Sequence, residues 1–192
     1  MSFFCYSMTM LSDNDISKVM DEGLLAIRPF DKKQLRPAGI SFHLGKEILV
    51  PKPAKLIDLK SETELEYGRQ EISEDEPFII QPQQFVLGHT EEIISVSTKL
   101  GFIIEGRSTL ARLGISVEQS ATIVDPGHHD RPITLEIYNC GPSPVTLYRG
   151  MAVAKALIFM LSSEAGRSFD KYTRYASQKS GVGKPILRLK SE

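Results

Sequence analysis

The chain has 192 residues, of which 41% are hydrophobic and 24% charged, and a formal net charge of −1. That length can bury one sizeable core, and the composition is that of an ordinary soluble globular protein. No global field draws it to nucleic acid or to a membrane, so any anion site has to be built locally from a few convergent arginines. Two cysteines, Cys5 and Cys140, with no CxxC, argue against a disulfide scaffold and a thiolate zinc site, and fit a reducing, cytoplasmic setting.

The start, MSFFCYSMTM, has no basic n-region and no proper apolar h-region, so residues 1–10 read as a short extension ahead of one domain spanning 11–192. No stretch is apolar for long enough to span a bilayer. SDNDISKVMDEGLL predicts a helix of about three turns. Ser12 or Asp13 can cap it, Ile16, Val19 and Met20 recur at helical spacing, and Gly23 can end it. Pro29 and Pro37 then punctuate a loop.

Strand signals follow. ISFHLG alternates Ile40, Phe42 and Leu44 inward against Ser41 and His43. EILVP, PFIIQP, QFVLGHT, EEIISVS, GFIIEG, PITLEIYN, PVTLY and MAVAKALIF come at short intervals, broken by Gly and Pro. Many short strands of this kind predict a mainly β fold, a barrel or jelly-roll. KSETELEYGRQEISEDE, residues 60–76, reads as a solvated excursion or a polar hairpin. The polar tail from Ser162, with Gly166, Gly181, Gly183 and Pro185, either frays or folds over a ligand or a neighbouring subunit.

Several polar residues stand among apolar runs. If RSTLAR makes a helical turn, Ser108 and Arg112 share a face and Arg107 lies at its entrance. Such a turn can hold a phosphate, but from this stretch alone two surface arginines paired with acids such as Glu105 are the readier explanation. In ITLEI the apolar set Ile133, Leu135 and Ile137 turns Thr134 and Glu136 the other way. Glu136 is then either a solvated outer-face residue or a carboxylate held rigidly for acid–base work. Asp125 before Pro126 is a turn-former or a ligand contact. His128, His129 and Asp130 make a polar turn more readily than a metal site, because neighbours on a strand face opposite ways. Lys155, inside AVAKALIF, reads as a snorkelling lysine.

Taken in order, GRSTLARLGI, SATIVDPG and ITLEIYN resemble the central signature of the dCTP deaminases, members of the dUTPase-like superfamily. The resemblance extends to LSDNDISKVMDEG, RPAGISFHLG, YRGMAVAKALIF and the tail segment KYTRYASQKSG, and so covers nearly everything from Leu11 to Lys184. It implies a distorted jelly-roll or β-barrel fold of the β-clip type and a homotrimer with active sites at subunit interfaces. The implied reaction is hydrolytic deamination of dCTP to dUTP and ammonia, with magnesium on the triphosphate, no zinc, and dTTP as a candidate inhibitor. By the same resemblance Glu136 is the proton shuttle that activates water. Ser108 and Arg112 place the water, base and phosphates, Arg112 reaching in from a neighbouring subunit, and Arg107 binds triphosphate. Thr109, Leu110 and Ala111 complete that binding turn. Asp125 accepts the sugar 3′-hydroxyl, the Ala121 carbonyl holds the water, and the backbone at Thr134 and Leu135 reads the pyrimidine edge. Arg174 and Gln178 close over the phosphates from the tail, about residues 162–192. Zinc-dependent base deaminases carry H-x-E and P-C-x-x-C, and this chain has neither, which agrees with a carboxylate mechanism.

The chain departs from the family pattern where Glu118 replaces a usual histidine and where Ser41 and His43 replace an acid and an arginine. The loop from Asp125 to Glu136 is one residue longer, and Phe169 or Tyr172 stands in for a tail tyrosine. Alternatives are a bifunctional enzyme that forms dUMP and diphosphate, a plain dUTPase, and a non-catalytic nucleotide-binding regulator. Lys155, where some bifunctional members carry glutamine, favours deamination alone.

Overall fold

Ser12 decides where the first helix begins. Its hydroxyl accepts the Asp15 N–H at 3.3 Å while the Asp15 carboxylate accepts the Ser12 N–H at 3.2 Å, a reciprocal capping box. The helix, α1 (Asp13–Asp21), buries Ile16 and Val19 and half-buries Met20. It ends at Glu22, and Gly23 follows with φ +71°, a left-handed conformation that glycine adopts without strain. These coordinates come from a computed structural model, which describes residues 9–59, 65–173, 175, 178 and 181–186.

Most of the remaining order is extended. In chain order the strands are β1 (Thr9–Met10), β2 (Leu25–Arg28), β3 (Leu35–Arg36), β4 (Gly39–His43), β5 (Glu47–Pro51), β6 (Tyr67–Glu71), β7 (Phe78–Ile80) and β8 (Phe85–His89). They continue with β9 (Ile93–Val96), β10 (Leu100–Gly106), β11 (Ile115–Ser116), β12 (Ile123–Val124), β13 (Thr134–Asn139), β14 (Val145–Leu147) and β15 (Ala152–Met160). Two short helices, α2 (Ser108–Arg112) and α3 (Phe169–Tyr172), and a 3-10 turn (Lys32–Gln34) complete the order.

A six-stranded sheet runs β12-β10-β15-β4-β3 with β1 added on β15, and a five-stranded sheet runs β11-β13-β8-β5-β6. Pairs β14-β7 and β2-β9 close the ends. All these ladders are antiparallel. The inward side chains of both large sheets, Ile40, Phe42 and Phe102 from one and Ile48, Val86 and Ile137 from the other, belong to a single apolar cluster. This is the mainly β, jelly-roll-type barrel that the strand pattern predicts.

Two local readings change and one open alternative is decided. Thr9 and Met10 pair with Met160 and Phe159, so the residues just ahead of Leu11 join the sheet. Tyr67–Glu71 of the acidic stretch pairs with β5, which makes its second half one arm of a hairpin. Ser41 is buried rather than outward. Its strand lies between β15 and β3, and the Lys32–Gln34 turn covers it, with Gln34 Nε2 donating to Ser41 O at 3.1 Å and to Glu92 at 2.7 Å. Glu92, buried, also accepts the His43 N–H at 3.0 Å and lies 2.6 Å from His43 Nδ1. Period-2 alternation assumes one wet face, and here a polar cluster covers that face.

Candidate active site

The strand β13 carries the central residues. Leu135, Ile137 and Asn139 point into the core and Thr134, Glu136 and Tyr138 point out, as the ITLEI alternation predicts. Glu136 pairs with Leu87 of β8 on one side and makes a parallel bridge with Glu118 on the other, so its backbone is held from both edges. Its side chain is half-buried in the wall of a cavity of about 450 Å³. That volume suits a nucleotide-sized ligand, since small-molecule sites run about 300–1,000 Å³.

Burial pushes the Glu136 carboxyl above its ordinary range. A bond from its own backbone opposes the shift and the Glu118 charge adds to it. A carboxyl placed this way takes and returns a proton closer to neutral pH than a solvated one. Glu118 itself accepts the Val117 N–H at 3.2 Å, and its Oε2 lies beside Gly106, where the chain enters α2.

Ala121, Asp125, Thr134, Glu136 and Gln178 line this cavity together, five of the residues named from sequence. Among the described residues, no hydrogen bond or ion pair engages the Asp125 carboxylate, and it is open to a ligand hydroxyl. Thr134 Oγ1 accepts the Gly183 N–H at 2.9 Å and lies 3.3 Å from Gln178 Nε2, so the tail folds back onto this wall. Leu135 turns its side chain into the core and leaves only its backbone toward β8.

The RSTLAR turn is placed differently. It does form a helix, α2, with Arg107 at the N-cap position but no capping bond from its side chain, and none of residues 107–112 lines the cavity. Ser108, Thr109, Ala111 and Arg112 are exposed and Arg107 is half-buried. Leu110 is 5% exposed and belongs to the core, so its side chain has no ligand to meet. Among the described residues neither arginine pairs with an acid, Glu105 included. Arg174 lies outside the described residues, and of Tyr172 only the backbone in α3 is described.

The cavity also holds residues that the sequence presented as a polar turn or a loose tail. His128 is buried and stacks on Phe169, ring centroids 5.9 Å apart. Its Nε2–H donates to the Arg131 carbonyl at 3.2 Å, which settles the tautomer, since a carbonyl can only accept. Burial pulls its pKa down to about 4, against that hydrogen bond, so the ring is neutral at pH 7. Arg131, Phe169 and Tyr175 line the same space. Two of the Arg131 side-chain partners, Asp170 and Tyr175, lie 39 and 44 residues along the chain, and no local pattern marks them. Among the described residues no group of three or more His, Cys, Asp or Glu side chains is arranged to hold a metal ion. No helix among them is long and apolar enough to cross a membrane.

Comparison with known proteins places the chain in a family. The family model described as dCTP deaminase-like matches residues 10–161. A protein of Methanothermobacter thermautotrophicus named "dCTP deaminase, dUMP-forming" is 38% identical over 174 residues, 87% of each chain. A Methanosphaera stadtmanae protein of the same name is 34% identical over 192 residues, 96% of each chain. The crystal structure of 2′-deoxycytidine 5′-triphosphate deaminase from Agrobacterium tumefaciens superposes with a TM-score of 0.61 at 16% identity, over 80% of this chain and 48% of that one, and so shares the fold. With a family model matched over residues 10–161 and relatives 34–38% identical over most of the chain, the chain belongs to the dCTP deaminase-like family.

Proposed function

We propose that this protein deaminates dCTP and carries the product on to dUMP and diphosphate. Glu136 carries the reading: a carboxyl on a rigid strand, half-buried in a nucleotide-sized cavity and raised in pKa by that burial. Water attacks C4 of cytosine while Glu136 takes its proton. Glu136 then delivers protons to N3 and to the leaving amine, and ammonia departs, so that dCTP and water become dUTP and ammonia. Asp125 receives the sugar 3′-hydroxyl, the Ala121 carbonyl holds the water, and the backbone at Thr134 and Leu135 reads the base edge. A second water, cleaving between the α and β phosphates, gives dUMP and diphosphate. The names of the two relatives favour this second step. Lys155, half-buried on β15 opposite Glu105, favours release of dUTP instead.

The exposed α2 residues fit a second copy of the chain. Arg107, Ser108 and Arg112 lie off the cavity of their own chain, and a homotrimer that brings them to a neighbour's cavity supplies the missing phosphate ligands. Magnesium enters with the triphosphate as part of the substrate, bound chiefly by phosphate oxygens. Purified protein with dCTP and magnesium, its products resolved by ion exchange, tests the whole reading. Ammonia with dUMP is expected. Ammonia with dUTP alone assigns the simpler deaminase, and absence of ammonia between pH 6 and 9 refutes the proposal.

A further inference from the structure

The loop between Asp125 and Glu136 carries a buried cation, two of whose three polar partners belong to the C-terminal segment. The Arg131 side chain is 4% exposed. Its Nη2 pairs with the Asp170 carboxylate on α3, its Nη1 donates to the Tyr175 carbonyl at 2.7 Å, and its Nε donates to the His129 carbonyl at 3.2 Å. The guanidinium also lies 5.7 Å from the centroid of the Phe169 ring. A planar fork can hold three acceptors in different directions at once, which an ammonium on a flexible stem cannot do with the same order.

The loop fits the segment independently of that cation. Phe169 N–H donates to the Pro126 carbonyl at 2.8 Å. Gly127 has φ +85°, and a Cβ there would collide with Ser168. Phe169 and Tyr175, whose backbones supply two of these anchor points, line the cavity that holds Glu136.

We infer that Arg131 is a positioning residue that pins the C-terminal segment to the loop, so that Phe169 and Tyr175 are set as walls of the nucleotide cavity before substrate arrives. Its catalytic consequence rests on the deaminase reading above, and its structural core does not. All three guanidinium nitrogens are engaged by chain atoms, so Arg131 acts through the wall it fixes rather than on phosphate. Burying a guanidinium without its carboxylate is strongly unfavourable, which makes the contact with Asp170 the weak point to attack.

The test uses the full chain without substrate and then with it. Trypsin cleavage after Lys171, which is exposed on α3, is followed by mass spectrometry in wild type, Arg131→Met and Asp170→Ala. Both variants are expected to be cut about tenfold faster or more, the change that losing one charge-assisted contact gives. On dCTP, KM is expected to rise by about tenfold with kcat held within about twofold, because β13 and Glu136 are untouched. Should Arg131→Met fail to fold, Asp170→Ala, changed at a side chain that is 29% exposed, still breaks the pair. Unchanged cleavage or unchanged KM in a folded variant overturns the inference. If wild type releases no ammonia, the functional reading falls, and the cleavage rates still decide the role of Arg131.

Discussion

Acid destabilises this fold through the buried imidazole of His128. His128 has an ordinary pKa of 6.5 when unfolded and about 4 when folded. The folded state refuses a proton that the unfolded state takes, so stability is whole above pH 6.5 and is lost as pH falls toward 4. At about 1.36 kcal/mol per decade of proton affinity, the loss reaches about 2 kcal/mol by pH 5 and about 3 kcal/mol below pH 4. That is a large share of a net stability of about 5–15 kcal/mol. The assay is urea unfolding at constant protomer concentration and a series of pH values, in wild type and His128→Gln. Subtracting the variant's stability curve from that of wild type isolates what depends on position 128. The variant is expected to be less stable at pH 7.5, having lost the Phe169 stacking, but to decline less steeply between pH 6.5 and 5. Equal slopes in the two proteins, or an NMR titration placing the His128 ring near 6.5, refute the reasoning.

Glu136→Gln should bind dCTP calorimetrically with affinity near wild type while ammonia release falls by about 10²-fold or more, as loss of a general base requires. Glu118→Gln removes a like charge near Glu136, so the acid limb of the rate profile should move to lower pH, read from ammonia release against pH. Leu110→Ala should lower stability by about 2–5 kcal/mol in urea unfolding, because Leu110 fills core rather than site. Mixing inactive Arg112→Ala with inactive Glu136→Gln under exchange conditions should recover deamination, if each chain lends its α2 to a neighbour's cavity; no recovery removes the shared site.

The order of elements was open to reading because its causes are local. A Ser12 cap, a glycine after the last turn and a period-2 alternation act within a few residues, and they place α1 and turn Glu136 outward on β13. Asp125 and Ala121 came from the family resemblance of SATIVDPG, not from any local physical signal. LAIR of β2 escaped notice because four residues pinned between Gly23 and Pro29 show too little pattern, and only pairing with β9 makes them a strand.

By itself the sequence determined a mainly β chain, the family, and a carboxylate facing away from the core at position 136. Tertiary structure alone decided what that carboxylate faces. Arg131 finds Asp170 across 39 residues, burial beside Phe169 lowers the His128 pKa, and Gln34 folds over the strand that carries buried Ser41. It also set α2 away from its own chain's cavity. Burial and ion pairing depend on which distant surfaces meet, and a local pattern records only which side of a strand or helix a residue occupies.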